Sequence, residues 1–157
     1  MRRRPASDAT LDPGRRARIG LDEAIFCSGK SPVQIAAIVA TLAGTQKTAL
    51  LTRLDPARFA ELPAATQRLI AYDPLSGTAI CGRAARASKA RAAVAVVTAG
   101  TSDLPVAREA AATLRYYGVG VSEIADVGVA GLWRLTARLD EIRRHKVVIV
   151  AAGMDAA

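Results

Sequence analysis

Two hydroxyls and a carboxylate stand in succession at Thr101-Ser102-Asp103, preceded by Gly100 and followed by Leu104-Pro105. Hydroxyl and carboxylate groups grouped in this way suit the oxygens of a sugar or a phosphate. If the loop opens a helix, its unsatisfied backbone N–H groups also favour an anion, most often a phosphate. Gly100 would then allow close backbone approach. The competing reading is structural: Ser102 or Asp103 caps the helix, and Pro105 occupies its first turn. The two are compatible, since a capped helix start is also where such ligands bind. Two cations are further candidates. Arg134 follows Gly128-Val129-Ala130-Gly131 and either meets an anionic ligand or is merely exposed. Lys30 lies in Ser28-Gly29-Lys30-Ser31, the tail of a P-loop pattern, but the earlier glycine would fall at position 24, which is alanine. A P-loop is therefore rejected. Lys30 remains either a point charge for a phosphate or a solvated turn lysine.

The elements around Gly100–Asp103 follow from periodicity. Val94 to Val97 is an apolar, partly β-branched run, the pattern of a buried parallel strand. Residues 104–117 are an alanine-rich helix closed by Gly118. Residues 119–127 form a second strand with Asp126 near its end, and residues 132–144 a second helix. Lys146 to Gly153 is a third strand. Three strands alternating with two helices make half of a doubly wound sheet, and ligands of such sheets bind outside the carboxyl ends of the strands. That rim carries Gly100 to Asp103, Asp126 to Arg134 and Gly153 to Asp155. Trp133 is expected in the core, with ligand stacking as the alternative. His145 is expected in solvent. The third strand has no following helix to cover it, whereas parallel sheets are covered on both faces. Partner subunits could cover it, but truncation of the chain is the favoured expectation.

The first part has a different organisation. Residues 1–14 hold little apolar material and read as a flexible basic arm. Residues 15–82 read as a small β-α-β-α-β region forming a parallel α/β layer. Its strands are expected at 24–27, 48–53 and 68–72, with a short extra strand at 78–81. Ser31 is the expected cap of a helix over 32–43, with Pro32 first, Val33, Ile35, Ile38, Val39 and Leu42 as its apolar positions, and a stop at Gly44. Asp55-Pro56 opens a short helix through Leu62. Residues 83–91 are a basic linker, and 92–157 the second domain.

The net charge is +8, and residues 1–91 carry all of it, with 15 basic and 7 acidic side chains against 7 of each in 92–157. Such a basic region could contact nucleic acid. It lacks interleaved aromatics and any helix-turn-helix or zinc pattern, so nucleic acid is disfavoured against a solvated arm or a site for a multiply phosphorylated small molecule. No run is long and apolar enough for a membrane helix, and no apolar segment follows the N-terminal arginines to make a secretory signal. Cys27 and Cys81 share no metal or redox spacing, so a reduced cytoplasmic setting is the simple reading. Cys27 is expected to be a buried, small apolar residue rather than a reactive thiol.

Four separated pieces together resemble the LarB family, the nickel-pincer cofactor biosynthesis carboxylase/hydrolases, whose C-terminal domain is similar to PurE-type carboxylases. They are Ile25-Phe-Cys-Ser-Gly-Lys-Ser31, Val97-Thr-Ala-Gly-Thr-Ser-Asp-Leu-Pro-Val-Ala107, Asp126-Val-Gly-Val-Ala-Gly-Leu-Trp-Arg-Leu135 and Val148-Ile-Val-Ala-Ala-Gly-Met-Asp-Ala-Ala157. The resemblance implies that 92–157 is the first half of a PurE-like domain, flavodoxin-like with a parallel three-layer build, incomplete here. It further implies carboxylation of nicotinic acid adenine dinucleotide at pyridinium C5 by CO2 or bicarbonate, with hydrolysis of the phosphoanhydride to give AMP. On this basis Thr101, Ser102 and Asp103 would hold phosphate and ribose. Asp155 would stand at the family's acidic position in Gly-Met-[Glu/Asp], where it could organise a divalent metal such as magnesium (Mg) or a water. No covalently bound cofactor is implied. Self-association is implied, because PurE-like relatives assemble through this domain.

Two departures weigh against full activity. The family usually has His-Arg where this sequence has Trp133-Arg134, and an indole only donates a hydrogen bond. The family's nucleophilic cysteine lies later than position 157, and neither Cys27 nor Cys81 matches it. The expectation is therefore an enzyme of this type that is inactive or partner-dependent as this chain. The alternatives are a PurE-like carboxylase of purine synthesis, to which the Phe26-Cys27-Ser28-Gly29-Lys30 region is foreign, and a non-catalytic nucleotide-binding module.

Overall fold

The computed structural model describes residues 11, 12, 14–83 and 92–157, and of Asp155 the backbone alone. The chain divides into two compact units, Met1–Arg83 and Ala84–Ala157.

The first unit runs α1 (Arg15–Ile19), β1 (Ile25–Phe26), α2 (Pro32–Gly44), β2 (Ala49–Thr52), α3 (Pro56–Ala60), α4 (Ala64–Gln67), β3 (Ile70–Asp73) and β4 (Thr78–Cys81). Its sheet has the order β1-β2-β4-β3. The crossover through α2 makes β1 and β2 parallel, as expected, but β4 is antiparallel to both its neighbours. The expected all-parallel layer is thus corrected to a mixed sheet. Residues 74–77 are too few for a crossover, so β3 and β4 form a hairpin, and β4 inserts beside β2. Gly77 closes that turn at φ +61, with an added Cβ only 3.4 Å from the Leu54 carbonyl oxygen.

Helix α2 begins as its sequence predicts. Ser31 Oγ accepts the Gln34 N–H, and the Gln34 side chain accepts the Ser31 N–H, a complete capping box with Pro32 in the first turn. Ile35, Ile38, Val39 and Leu42 are buried against Ile25, Cys27, Leu51, Leu54 and Leu62. Val33, expected among them, is 78% exposed. Two positions from Ile35 is about 200° around a helix, so Val33 points away from the core. Leu11 packs on this core, Asp12 pairs with Arg18, and the Asp12 N–H donates to the Glu23 carboxylate at 2.9 Å. The last part of the expected flexible arm is therefore tied down. The remainder of that arm (1–10 and 13) and the expected basic linker from 84 to 91 lie outside the described residues.

The second unit runs β5 (Val94–Thr98), a 3-10 turn at Thr101–Asp103, α5 (Leu104–Tyr116), β6 (Val121–Ile124), a 3-10 turn at Val129–Gly131, α6 (Leu132–Arg143), β7 (Val147–Ala151) and a turn at Met154–Ala156. All three strands are parallel, in the order β6-β5-β7. Every residue of β5 is buried. Ala95 and Val97 pack with Ile124, Val127 and, on α6, Leu135 and Ile142. Val96 faces the opposite way, onto Ala107 and Ala111 of α5. The unit is therefore three-layered, and the alternation of strands and helices is that of a flavodoxin-like α/β fold. On edge strand β7, Ile149 and Ala151 pack on the α5 side, whereas Val148 and Val150, in register with Ala95 and Val97, are exposed.

Two side chains depart from expectation here. Trp133 is 74% exposed rather than in the core. Leu135 and Ile142 are the residues of α6 that meet the sheet, and Trp133, two positions before Leu135, lies on the far side of the helix. His145 is half-buried rather than free in solvent. Its Nε2 is 2.9 Å from the Ser122 hydroxyl on β6, and its Nδ1 is 3.0 Å from the Glu141 carbonyl. A carbonyl only accepts, so in the neutral ring Nδ1 donates and Nε2 accepts from Ser122.

Candidate functional site at the carboxyl rim of the second sheet

Strand β5 delivers the loop. Thr98, 1% exposed, ends the strand, and the chain turns through Gly100 and Thr101–Asp103 into α5, with Pro105 in its first turn. Asp103 does not cap α5. Its carboxylate reaches back to accept the Gly100 N–H at 3.2 Å, which closes the loop on itself and leaves Thr101 and Ser102 exposed. Gly100 is extended (φ −121°, ψ 173°), and a Cβ there would stand 3.7 Å from Ser102 Oγ and 3.8 Å from the Asp103 carboxylate. Those are ordinary contacts, so the chain itself does not impose the close approach expected of this glycine.

The second edge is stitched to the first. Asp126 N–H donates to Thr98 Oγ1 at 3.2 Å, Val127 N–H to the Thr98 carbonyl at 3.0 Å, and Gly128 N–H to the Ala99 carbonyl at 2.9 Å. Gly128 is required by proximity: an added Cβ would lie 3.0 Å from the Ala99 carbonyl oxygen and 2.7 Å from that of Ala157. Asp126 has φ +59, and its carboxylate accepts from Arg134 Nη1 at 2.8 Å. The rim thus brings Gly100, Thr101, Ser102 and Asp103 into the same unit as Arg134. Asp155 follows β7 in the turn Met154–Ala156, and its side chain lies outside the described residues. Lys30 stands in the other unit, in the turn before α2, where its carbonyl accepts from Arg58 Nη1 at 2.9 Å. Asp126 is the residue whose role sequence reading missed; its place at a strand end was visible, its left-handed backbone was not.

The cysteines belong to the first unit. Burial pushes the Cys27 thiol up to about 11, against the pull of Lys30 and Arg58, and burial also raises Cys81. Both are buried and free, as expected for Cys27, and neither is poised as a nucleophile. Among the described residues no three His, Cys, Asp or Glu side chains are grouped to hold a metal ion. The described rim carboxylates Asp103 and Asp126 are engaged with Gly100 and Arg134. Asp155, the residue expected to organise a divalent metal, is described in its backbone alone. The first unit also holds a cavity of about 470 Å³ floored by Ile25, Ile38, Leu42 and Ala49. Its acidic wall is engaged internally, Asp22 with Arg16 at 3.3 Å and Glu23 with the Asp12 N–H.

Residues 4–83 match the family described as the LarB/PurE-like N-terminal domain. The chain belongs to that family. A protein of Methanocaldococcus jannaschii, named uncharacterized protein MJ0165, is 35% identical over 155 residues, 94% of this chain and 60% of that protein's own length. The present chain therefore spans about 60% of the curated relative it matches. The LarB/PurE-like match covers the first unit, and the similarity to the archaeal protein extends into the second. Among the described residues no helix is long and apolar enough to cross a membrane.

Proposed function

We propose that the rim of the second unit binds the phosphate and ribose of nicotinic acid adenine dinucleotide, as part of a LarB-type carboxylase/hydrolase. The observation that carries this reading is the Gly100–Asp103 loop. It stands at the carboxyl end of the central parallel strand, closed by Asp103, with the Thr101 and Ser102 hydroxyls exposed. Membership of the LarB/PurE-like family supports a carboxylase-family activity. The reaction proposed is carboxylation at pyridinium C5 by CO2 or bicarbonate, with hydrolysis of the phosphoanhydride. Thr101 and Ser102 donate to phosphate oxygens, Asp103 holds the loop and accepts from a ribose hydroxyl, Arg134 supplies positive charge, and Asp155 serves at the reacting end. Self-association through this unit is part of the proposal.

Both cysteines lie in the first unit, so the second unit offers no thiolate to add to the pyridinium ring. With Trp133 in place of a proton-handling histidine, the chain should bind the dinucleotide without turning it over. Calorimetric titration should show weak binding that is lost in Ser102→Ala and Asp103→Ala, and incubation with bicarbonate should release no AMP. AMP release that survives both substitutions would sink the site, and robust turnover by the unaltered chain would sink the claim of binding without chemistry.

A further inference from the structure

Asp126 takes no part in the loop just described, yet several observations converge on it. Its backbone is left-handed at φ +59, a conformation that residues other than glycine adopt rarely and aspartate tolerates better than most. The hydroxyl of Thr98, itself buried, accepts its N–H at 3.2 Å. From that backbone the carboxylate meets Arg134 through a single contact, Oδ1 to Nη1 at 2.8 Å. The guanidinium lies across Gly131, where an added Cβ would stand 2.6 Å from Nε and 2.9 Å from Nη2. Among the described residues Nε is buried without a hydrogen-bond partner. Arginine–carboxylate pairs are commonly bidentate, and a buried, unpaired N–H is unfavourable. The anchor engages Nη1 alone, and the Arg134 side chain stays about one-third exposed (33%), which fits an arginine with donors left for a second anionic partner rather than one satisfied by its own carboxylate.

We propose that Asp126 is a positioning residue: it anchors Arg134 by Nη1 and so holds the exposed part of the guanidinium for the phosphate oxyanion of a ligand at this rim. The inference rests on the reading of the rim as a phosphate site. Two measurements on the full chain test it. Side-chain 15N NMR should show a slowly exchanging Arg134 Nε–H that is lost in Asp126→Ala and in Asp126→Gly. The glycine variant keeps the left-handed backbone open, so it isolates the carboxylate from the strain. Titration with nicotinic acid adenine dinucleotide and with inorganic phosphate should show affinity about tenfold weaker in both variants, and no weaker in Asp126→Ala/Arg134→Ala than in Arg134→Ala alone. Thermal unfolding of each variant separates these losses from loss of fold. Additive losses, wild-type affinity in Asp126→Gly, or tighter binding in either variant would overturn the role of Asp126 and leave the phosphate site standing. Failure of the unaltered chain to bind either probe would overturn the phosphate site, and the inference with it.

Discussion

At the scale of single residues, Cys27 carries a pH dependence that its neighbours oppose without reversing. Burial raises its thiol from an ordinary 9.0 to about 11, although Lys30 and Arg58 favour the thiolate. A folded pKa above the unfolded one stabilises the fold fully below pH 9, and that contribution is lost as pH rises from about 9 towards 11. The denaturant midpoint should fall across that window, and Cys27→Ala should flatten the profile. A thiol reagent at pH 8 should label Cys27 only after unfolding; fast labelling of the native chain would contradict the burial. The loop chemistry of Thr101-Ser102-Asp103 was legible because its residue types and its place after an apolar strand are local facts. What Asp103 does with its carboxylate was not, since capping α5 and closing on Gly100 use the same residue and differ only in backbone path. The left-handed Asp126 was illegible for the same reason: it follows from the hydrogen bond to Thr98, 28 positions away.

At the scale of elements, α2 shows which part of a pattern predicts structure. Its apolar stripe and its cap were both readable, and each should register in urea unfolding. Ser31→Ala removes half of the capping box and should destabilise by about 1 kcal/mol. Ile35→Ala, at a fully buried position, should lose about 2–5 kcal/mol. Val33→Lys should change stability by less than about 0.5 kcal/mol, because that side chain faces water. A loss from Val33→Lys as large as that from Ile35→Ala would mean the helix is rotated. Helices α1 and α4 escaped the sequence because five and four residues are too few to display a period. The hairpin of β3 and β4 escaped because each strand alone looks like a member of either kind of sheet; direction is decided by the length of the connection. The exposure of Trp133 escaped because an isolated large aromatic signals burial, and only the neighbouring stripe of Leu135 and Ile142 fixes which face of α6 is inward.

At the scale of the whole chain, each unit has its own hydrophobic clusters, and the charge excess belongs to the stretch before residue 92. The edge strand of the second unit is where association should be sensitive to sequence. Val148 and Val150 present apolar side chains, at 42% and 59% exposure, on a strand that has no second partner among the described residues, and such edges invite pairing with other chains. Val148→Thr with Val150→Lys should reduce self-association in light scattering while leaving the far-ultraviolet dichroism unchanged; unaltered association would exonerate this edge. Central strand β5 has the opposite character. It is paired on both sides and covered on both faces, so its amides should exchange with deuterated solvent only when the whole unit opens. The protected stretch ends at Thr98, one peptide before the loop begins to turn. A ligand resting on Thr101 and Ser102 would thus stand against the least yielding part of the unit, and its binding should slow exchange in the loop without changing exchange in β5.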